Sequence, residues 1–334
     1  MRRRLVPLLA VSAIAGLTVA LVGCPAGKSG DAWGDTGGRP KVLVSFAPLY
    51  SFAANVAGND AEVKCLLTTS GPHTHGDATP RQIDLARGCD VFIINGIGLE
   101  DEADGIATKL EKVAANPKWN VLNLGSKFPE GDLMEGVHHH DHDKGAAEEE
   151  HEHPTDPHVW LSTKHAKVMV AAIRDELKRL DPAHAAGYEA RAAAYLKKLD
   201  GLEEYGKSAL AKKEEKTILS FHESLNYFAK CYGLRVAGAI EVDPGKEPTP
   251  DKLNQIIKKC QARKVRVIAV EPQFSNHTSA RVIRDALRGA KEGPIEAVFA
   301  EVDPLETCDE AQLKPELYEN TMRNNLDELV KALR

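Results

Sequence analysis

Hydrophobic positions along this chain fall into short continuous runs that alternate with segments of helical spacing. Short apolar, β-branched runs predict buried strands at Lys41 to Phe46, Val63 to Leu67, Val91 to Asn95 and Asn120 to Leu124. Between them, apolar positions spaced by three and four predict helices over Pro48 to Ala57, Pro80 to Arg87 and Glu100 to Ala115, with Gly58 and Gly88 as stops. The same rhythm returns later. Strands are expected at Thr217 to Phe221, Leu234 to Ala239, Val265 to Val270 and Ile295 to Ala300, and helices begin near Glu223, Thr249 and His277, with a last one from about Lys314 to Leu333. Strands that alternate with helices pair in parallel through right-handed crossovers. The expected fold class is therefore α/β, with two (βα)4-like lobes built on parallel sheets.

The segment between the lobes is helical. Ser162 or Thr163 is expected to cap a helix whose apolar face is Ala166, Val170, Ile173, Leu177 and Leu180. Asp181-Pro182 ends it and opens another, with Tyr188, Ala192, Tyr195, Leu199 and Leu202 on one face. Continued to Lys212, that helix would run roughly 45 Å at 1.5 Å per residue and bridge two domains as a spine. A break at Gly201 or Gly206 would instead give two antiparallel helices. The expected division is 1–23 signal peptide, 24–40 tether, 41–181 first lobe, 182–212 linking helix and 213–334 second lobe. Ligands of two such lobes sit between them, outside the carboxyl ends of the strands.

The first residues change the picture from cytoplasmic to exported. Arg2 to Arg4, an apolar stretch from Leu5 to Ala20 and Leu21-Val22-Gly23-Cys24 read as a signal peptide ending in a bacterial lipobox, with Cys24 the lipidated residue. Gly27 to Pro40 reads as a flexible tether. Cleavage before Cys24 removes three of 43 basic residues and leaves 49 acidic ones, so the mature chain is acidic. That balance argues against nucleic acid and favours attraction of cations. Five further cysteines, at 65, 89, 231, 260 and 308, form no Cys-x-x-Cys pair, which argues against a thiolate zinc cluster. Export permits disulfides, and an odd count leaves at least one thiol unpaired.

One stretch cannot build a core. Val137 to Leu161 carries His138, His139, His140, His142, His151 and His153 among aspartates and glutamates, then turns apolar again at Asp156-Pro157-His158-Val159-Trp160-Leu161. Neutral imidazoles bind transition metals, so the arm reads as an auxiliary metal-binding loop. Four candidate ligands fall in loops or at strand ends: His73 after the second strand, His158 after the arm, His222 at the end of TILSFH, and Asp303 after IEAVFAEVDP. Three imidazoles and one carboxylate make a tetrahedral site suited to zinc. A carboxylate in place of His222 would favour Mn2+.

The motifs PHTHGDATPRQID, CDVFIINGIGLED, TDPHVWL, FHESLNYFAKCYGL, GKEPTPDKL, VIAVEPQFS and EVDPL occur in one order from about Lys41 to the C-terminus. In that ensemble the chain resembles the zinc/manganese-binding solute-binding lipoproteins of bacterial ABC importers, which hold metal between two lobes bridged by a long helix. The resemblance implies His73, His158, His222 and Asp303 as ligands, and the histidine at 222 with the acidic histidine loop resembles the zinc branch. It departs at the first ligand: His75 stands where that family usually has an aromatic residue, and Pro80 lies one residue late, so His75 is an alternative first ligand. Glu271, at a strand end, reads as structural or supporting. The resemblance also implies a Cys260–Cys308 disulfide. Cys65 with Cys89 is a further candidate pair, which would leave Cys231 as the odd thiol.

The expected function is capture of Zn2+ outside the membrane by a lipid-anchored monomer that delivers it to an ABC permease, with Mn2+ the lesser alternative. A zinc hydrolase needs an open metal position and a base, and the chain has neither HExxH nor GxSxG. A surface buffer or adhesin using the arm without transport is the third reading.

Overall fold

The computed structural model describes residues 32–68, 71–72, 76–136, 155–241, 246–274, 277–291 and 293–334. Two four-stranded parallel sheets form two lobes. In the first, β1 (Lys41–Val44), β2 (Glu62–Cys65), β3 (Val91–Ile94) and β4 (Val121–Asn123) lie in the order β2-β1-β3-β4. In the second, β5 (Thr217–His222), β6 (Arg235–Glu241), β7 (Val267–Val270) and β8 (Val298–Glu301) lie in the order β6-β5-β7-β8. The two orders are the same, so each lobe has a topological switch point between its first and third strands, where a crevice opens at the strand ends.

Around the sheets run α1 (Ala47–Ala57), α2 (Pro80–Gly88), α3 (Ile106–Val113), α4 (Thr163–Leu180), α5 (Ala185–Ala211), α6 (Asn226–Tyr232), α7 (Pro250–Ala262), α8 (Thr278–Arg288) and α9 (Leu317–Ala332). The spine α5 is one unbroken helix of 27 residues, roughly 40 Å long. Gly206 does not break it. A Cβ there would lie 2.5 Å from the Tyr232 ring and 2.9 Å from Leu326, so the missing side chain lets α6 and α9 close on the spine. None of the helices among the described residues is long and apolar enough to cross a membrane.

The strands are apolar on both faces because both faces are covered. One continuous core spans both lobes and the spine, taking Val42, Phe92, Leu199, Ile218 and Leu326. A smaller core lies on the far face of the second sheet, taking Leu219, Phe221, Ile256 and Ile268. Ile218 and Leu219, neighbours on β5, therefore serve different cores, as the period of a strand dictates.

Four expectations need correction. Helix α3 starts at Ile106 rather than Glu100, because Glu100 is drawn inward. It is fully buried and accepts hydrogen bonds from Ser45 Oγ (2.5 Å) and the amides of Asn95 (3.1 Å) and Gly96 (2.9 Å). Neither Ser162 nor Thr163 caps α4 with its side chain: Ser162 makes no capping bond, and Thr163 Oγ1 bonds Glu203 at 3.2 Å. The second half of the expected tether is docked. Trp33 is buried, donates Nε1–H to the Leu85 carbonyl (2.9 Å), and lies where a Cβ on Gly88 would be 2.6 Å from its ring. Last, Cys260 and Cys308 form no disulfide, and Cys65, Cys89 and Cys231 are free as well. Cys260 sits in the small core of the second lobe, whereas Cys308 faces the first lobe, its amide donating to the Thr68 carbonyl at 2.8 Å.

Candidate metal centre

The switch point of the second lobe carries a histidine and an acid. His222 ends β5 and Glu271 follows β7, and the two elements are neighbours in the sheet. Nδ1 of His222 lies 2.5 Å from Glu271 Oε1, which also accepts the His222 amide at 3.2 Å. The other Glu271 oxygen takes Nε2–H of Gln273 at 2.7 Å. With Nδ1 held from behind, Nε2 is the atom left to face the cleft.

His158 is arranged in the same way by different elements. It precedes the short 3-10 turn Val159–Leu161, and Asp156 Oδ1 lies 2.8 Å from its Nδ1 and 3.0 Å from its amide nitrogen. Asp156 is itself fixed: its Oδ2 accepts from Asn226 at 3.1 Å, and its amide donates to the Met134 carbonyl at 2.8 Å. Trp160, two residues on, packs edge-on against Phe46 and donates Nε1–H to the Pro304 carbonyl at 2.8 Å.

That last bond ties His158 to the segment carrying the third group. Residues 303–316 leave β8 and pass to the first lobe as a strap. Asn325 clamps its root, accepting the Asp303 amide (2.9 Å) and donating to the Asp303 carbonyl (2.7 Å). Farther along, Cys308 bonds Thr68, Arg81 forms a two-pronged ion pair with Glu310, and Asn55 donates to the Pro315 carbonyl at 2.6 Å. Between these anchors Glu306 turns inward. Its Oε1 lies 3.0 Å from Nε2 of His222 and 3.2 Å from Nε2 of His158.

His158, His222 and Glu306 are all buried, and they offer three ligand atoms within 4.8 Å of one another. Zinc bonds of 2.0–2.1 Å place tetrahedral ligand atoms roughly 3.3 Å apart, close to the spacing that hydrogen bonds maintain here. A carboxylate behind each metal-facing imidazole fixes its tautomer and raises its basicity. Burial works against charge on both imidazoles, yet the carboxylates outweigh it. Hydrogen bonds to Asp156 and Glu306 raise His158, and the charges of Glu306 and Glu271 hold His222 well above the ordinary imidazole range. Three buried ligand atoms this close together could hold a metal ion.

Of the residues expected from sequence, the structure brings His158 and His222 together. Asp303 stands outside the trio: one oxygen accepts the Leu305 amide at 2.7 Å. Its carboxyl is pushed up to about 6 by burial and by the nearby charges of Glu271, Glu306 and Glu301. Sequence reasoning missed Glu306, although the pattern Asp303-Pro304-Leu305-Glu306 offers two acids on one irregular segment. His73, His75, the arm histidines His138, His139, His140, His142, His151 and His153, and Cys24 lie outside the described residues.

Residues 42–332 match the family model described as zinc-uptake complex component A, periplasmic. The zinc-binding protein AdcA of Streptococcus pyogenes serotype M6 is 29% identical over 297 residues, 87% of this chain and 56% of AdcA. The chain thus spans little more than half the length of that relative. Among solved structures, the solute-binding protein FpvC of Pseudomonas aeruginosa in complex with Mn2+ superposes with a TM-score of 0.73 at 26% identity, covering 88% of this chain and 98% of FpvC. The crystal structure of ZnuA gives 0.70 at 25% identity, covering 89% and 100%. With the family model spanning both lobes, the spine and the segment that bears all three clustered groups, the chain belongs to the family of periplasmic A components of zinc-uptake complexes.

Proposed function

We propose that this protein is an exported, lipid-anchored solute-binding protein that captures Zn2+ and delivers it to an ABC permease. The observation that carries this reading is the buried trio His158, His222 and Glu306 with a carboxylate behind each imidazole. Two imidazoles and one carboxylate, closed off from solvent, suit a cation that is held rather than one that activates water. A fourth ligand fits from the loop after β2. A Cβ on Gly71 would lie 3.8 Å from Glu306 Cβ and 3.7 Å from Thr307, so that loop runs against the strap two residues before His73. In this proposal His73 completes the set, His75 is its alternative, and Asp303 supports Glu306. Zn2+ is the preferred cargo because imidazole nitrogen outnumbers oxygen among the ligands, and Mn2+ is the weaker one.

Cys24 would bear the lipid, and the permease would be the membrane partner of a monomeric receptor. The histidine arm would gather zinc outside the principal site. The test is metal stoichiometry with competition affinity, on the mature protein lacking Val137 to His153. One tightly held zinc, lost in His158→Ala and in His222→Ala, is expected. Absence of tight zinc from the arm-less protein would move the binding site to the arm and turn the receptor into a buffer.

A further inference from the structure

Asn95 is a point at which the first sheet reaches the metal centre. It follows β3, is fully buried, and lies in the stretch CDVFIINGIGLED, which holds no member of the clustered trio. Its backbone is pinned twice. The amide donates to Glu100 Oε1 at 3.1 Å, and the carbonyl accepts the Gly125 amide at 2.8 Å. The side chain is pinned as well: Nδ2 donates to the carbonyl of Gly96 (3.0 Å) and, 62 residues away in sequence, to that of Pro157 (3.0 Å). A carbonyl can only accept, so these two partners settle which way the amide faces. Oδ1 is left buried with no hydrogen-bond partner among the described residues. An orphaned buried acceptor is unfavourable, so the two bonds at Nδ2 are what hold this orientation in place.

The Pro157 carbonyl is the group that shapes the backbone of His158. It also accepts the Val159 amide at 2.8 Å, which closes a three-residue turn with His158 in the middle at φ −78° and ψ 37°. This belongs with the inverse γ-turns, a conformation in which the flanking peptides fix the direction of the central side chain. Asp156 then sets the rotation of the ring from Nδ1 at 2.8 Å, and Nε2 stands 3.2 Å from Glu306. Two residues thus divide the work: Asp156 governs the ring, and Asn95 governs the peptide on which the ring stands.

From this juxtaposition we infer that Asn95 is a positioning residue for metal capture. It holds the His158 turn against the end of β3, so that Nε2 of His158 meets Nε2 of His222 and Oε1 of Glu306 in one place. The inference rests on the reading that this trio holds zinc, and it adds a residue that touches none of the three side chains.

The test compares Asn95→Leu with a matched variant elsewhere in the same lobe. Asn116 also spends its Nδ2 on two carbonyls, those of Ala86 and Cys89, each at 2.9 Å, away from the metal centre. Two readouts are taken on the mature protein: zinc affinity by competition with a chelator, and the ring nitrogen resonances of His158 in the metal-free state, identified by their loss in His158→Gln. Asn95→Leu should weaken zinc roughly tenfold and shift the His158 ring resonances while leaving those of His222 in place. Asn116→Leu should lower the urea midpoint and move neither readout. If Asn95→Leu does not fold, Asn95→Ala is read in the same way. Unchanged His158 resonances in the Asn95 variant, or equal changes in the Asn116 variant, would overturn the assignment. Wild-type protein without tight zinc would sink the proposed function, and the metal-free ring resonances would still decide whether Asn95 positions His158.

Discussion

Glu271 stands directly behind His222, with one carboxylate oxygen 2.5 Å from Nδ1 and 3.2 Å from the backbone nitrogen of the same residue. The acid thus sets the tautomer, the ring orientation and the basicity of the imidazole without touching the cleft. Replacing it with alanine should cost ten- to a hundredfold in zinc affinity, the usual effect of removing such a partner. Competition against a chromogenic chelator measures this. Wild-type affinity in Glu271→Ala would show that the ring is oriented by packing alone.

Glu306 and Asp303 compete for the acidic ligand position, and the geometry ranks them. Glu306 reaches both imidazoles, whereas one oxygen of Asp303 is committed to the Leu305 amide. Glu306→Ala should abolish tight zinc, a loss of at least about a hundredfold, because a charged ligand disappears from a buried cation site. Asp303→Asn should stay within about tenfold. The reverse ranking, read in the same competition assay, would return the ligand role to Asp303.

This ranking marks where the sequence stops being readable. All eight strands were legible as short apolar runs, because both faces of each sheet are covered. The spine was legible from its 3.6-residue apolar face, while its continuity past Gly206 is decided by packing against Tyr232 and Leu326. His158 and His222 were legible because each sits where ordered structure begins or a strand ends. Glu306 was not, since the strap carrying it has neither pattern, and only its contacts show which of two acids turns inward. The start of α3 was misread for a related reason: Glu100 looks like a first-turn helix acid, and nothing local says that it is needed by Ser45, Asn95 and Gly96. The cysteines carry no spacing signal, and pairing Cys260 with Cys308 took a family pattern for a distance.

Glu100 fills the switch point of the first lobe as Glu271 does that of the second, but without a histidine to share its charge. Burial pushes its carboxyl up to about 7, against the opposing hydrogen bonds from Ser45, Asn95 and Gly96. A carboxyl whose folded pKa exceeds its unfolded value contributes stability below the unfolded value and loses it as pH rises through the folded one. From 4.5 to about 7 the linkage amounts to roughly 3 kcal/mol. In urea unfolding of metal-free protein, the advantage of wild type over Glu100→Gln should therefore be largest near pH 4.5 and shrink toward pH 8. An advantage that does not change with pH would mean that Glu100 titrates normally.

Asn325 satisfies both backbone groups of Asp303 and is itself buried. Asn325→Leu leaves an amide and a carbonyl unpartnered at the root of the strap, a cost of about 2 kcal/mol or more. A lowered urea midpoint should be accompanied by weaker zinc binding at temperatures where the variant is folded. Stability loss with unchanged zinc affinity would mean that Glu306 is positioned by the far anchors alone.

Those far anchors have a mechanical consequence. Glu306 follows the last strand of the second lobe, yet Thr68, Arg81 and Asn55 of the first lobe hold the segment beyond it, and Trp160 holds Pro304 just ahead of it. In linkage terms the acid and His158 ride on the same jaw. The opposite jaw offers the ion a single tooth, His222 with its backing Glu271. Withdrawing that one imidazole would separate the trio at a single point, leaving His158 and Glu306 together on the first lobe.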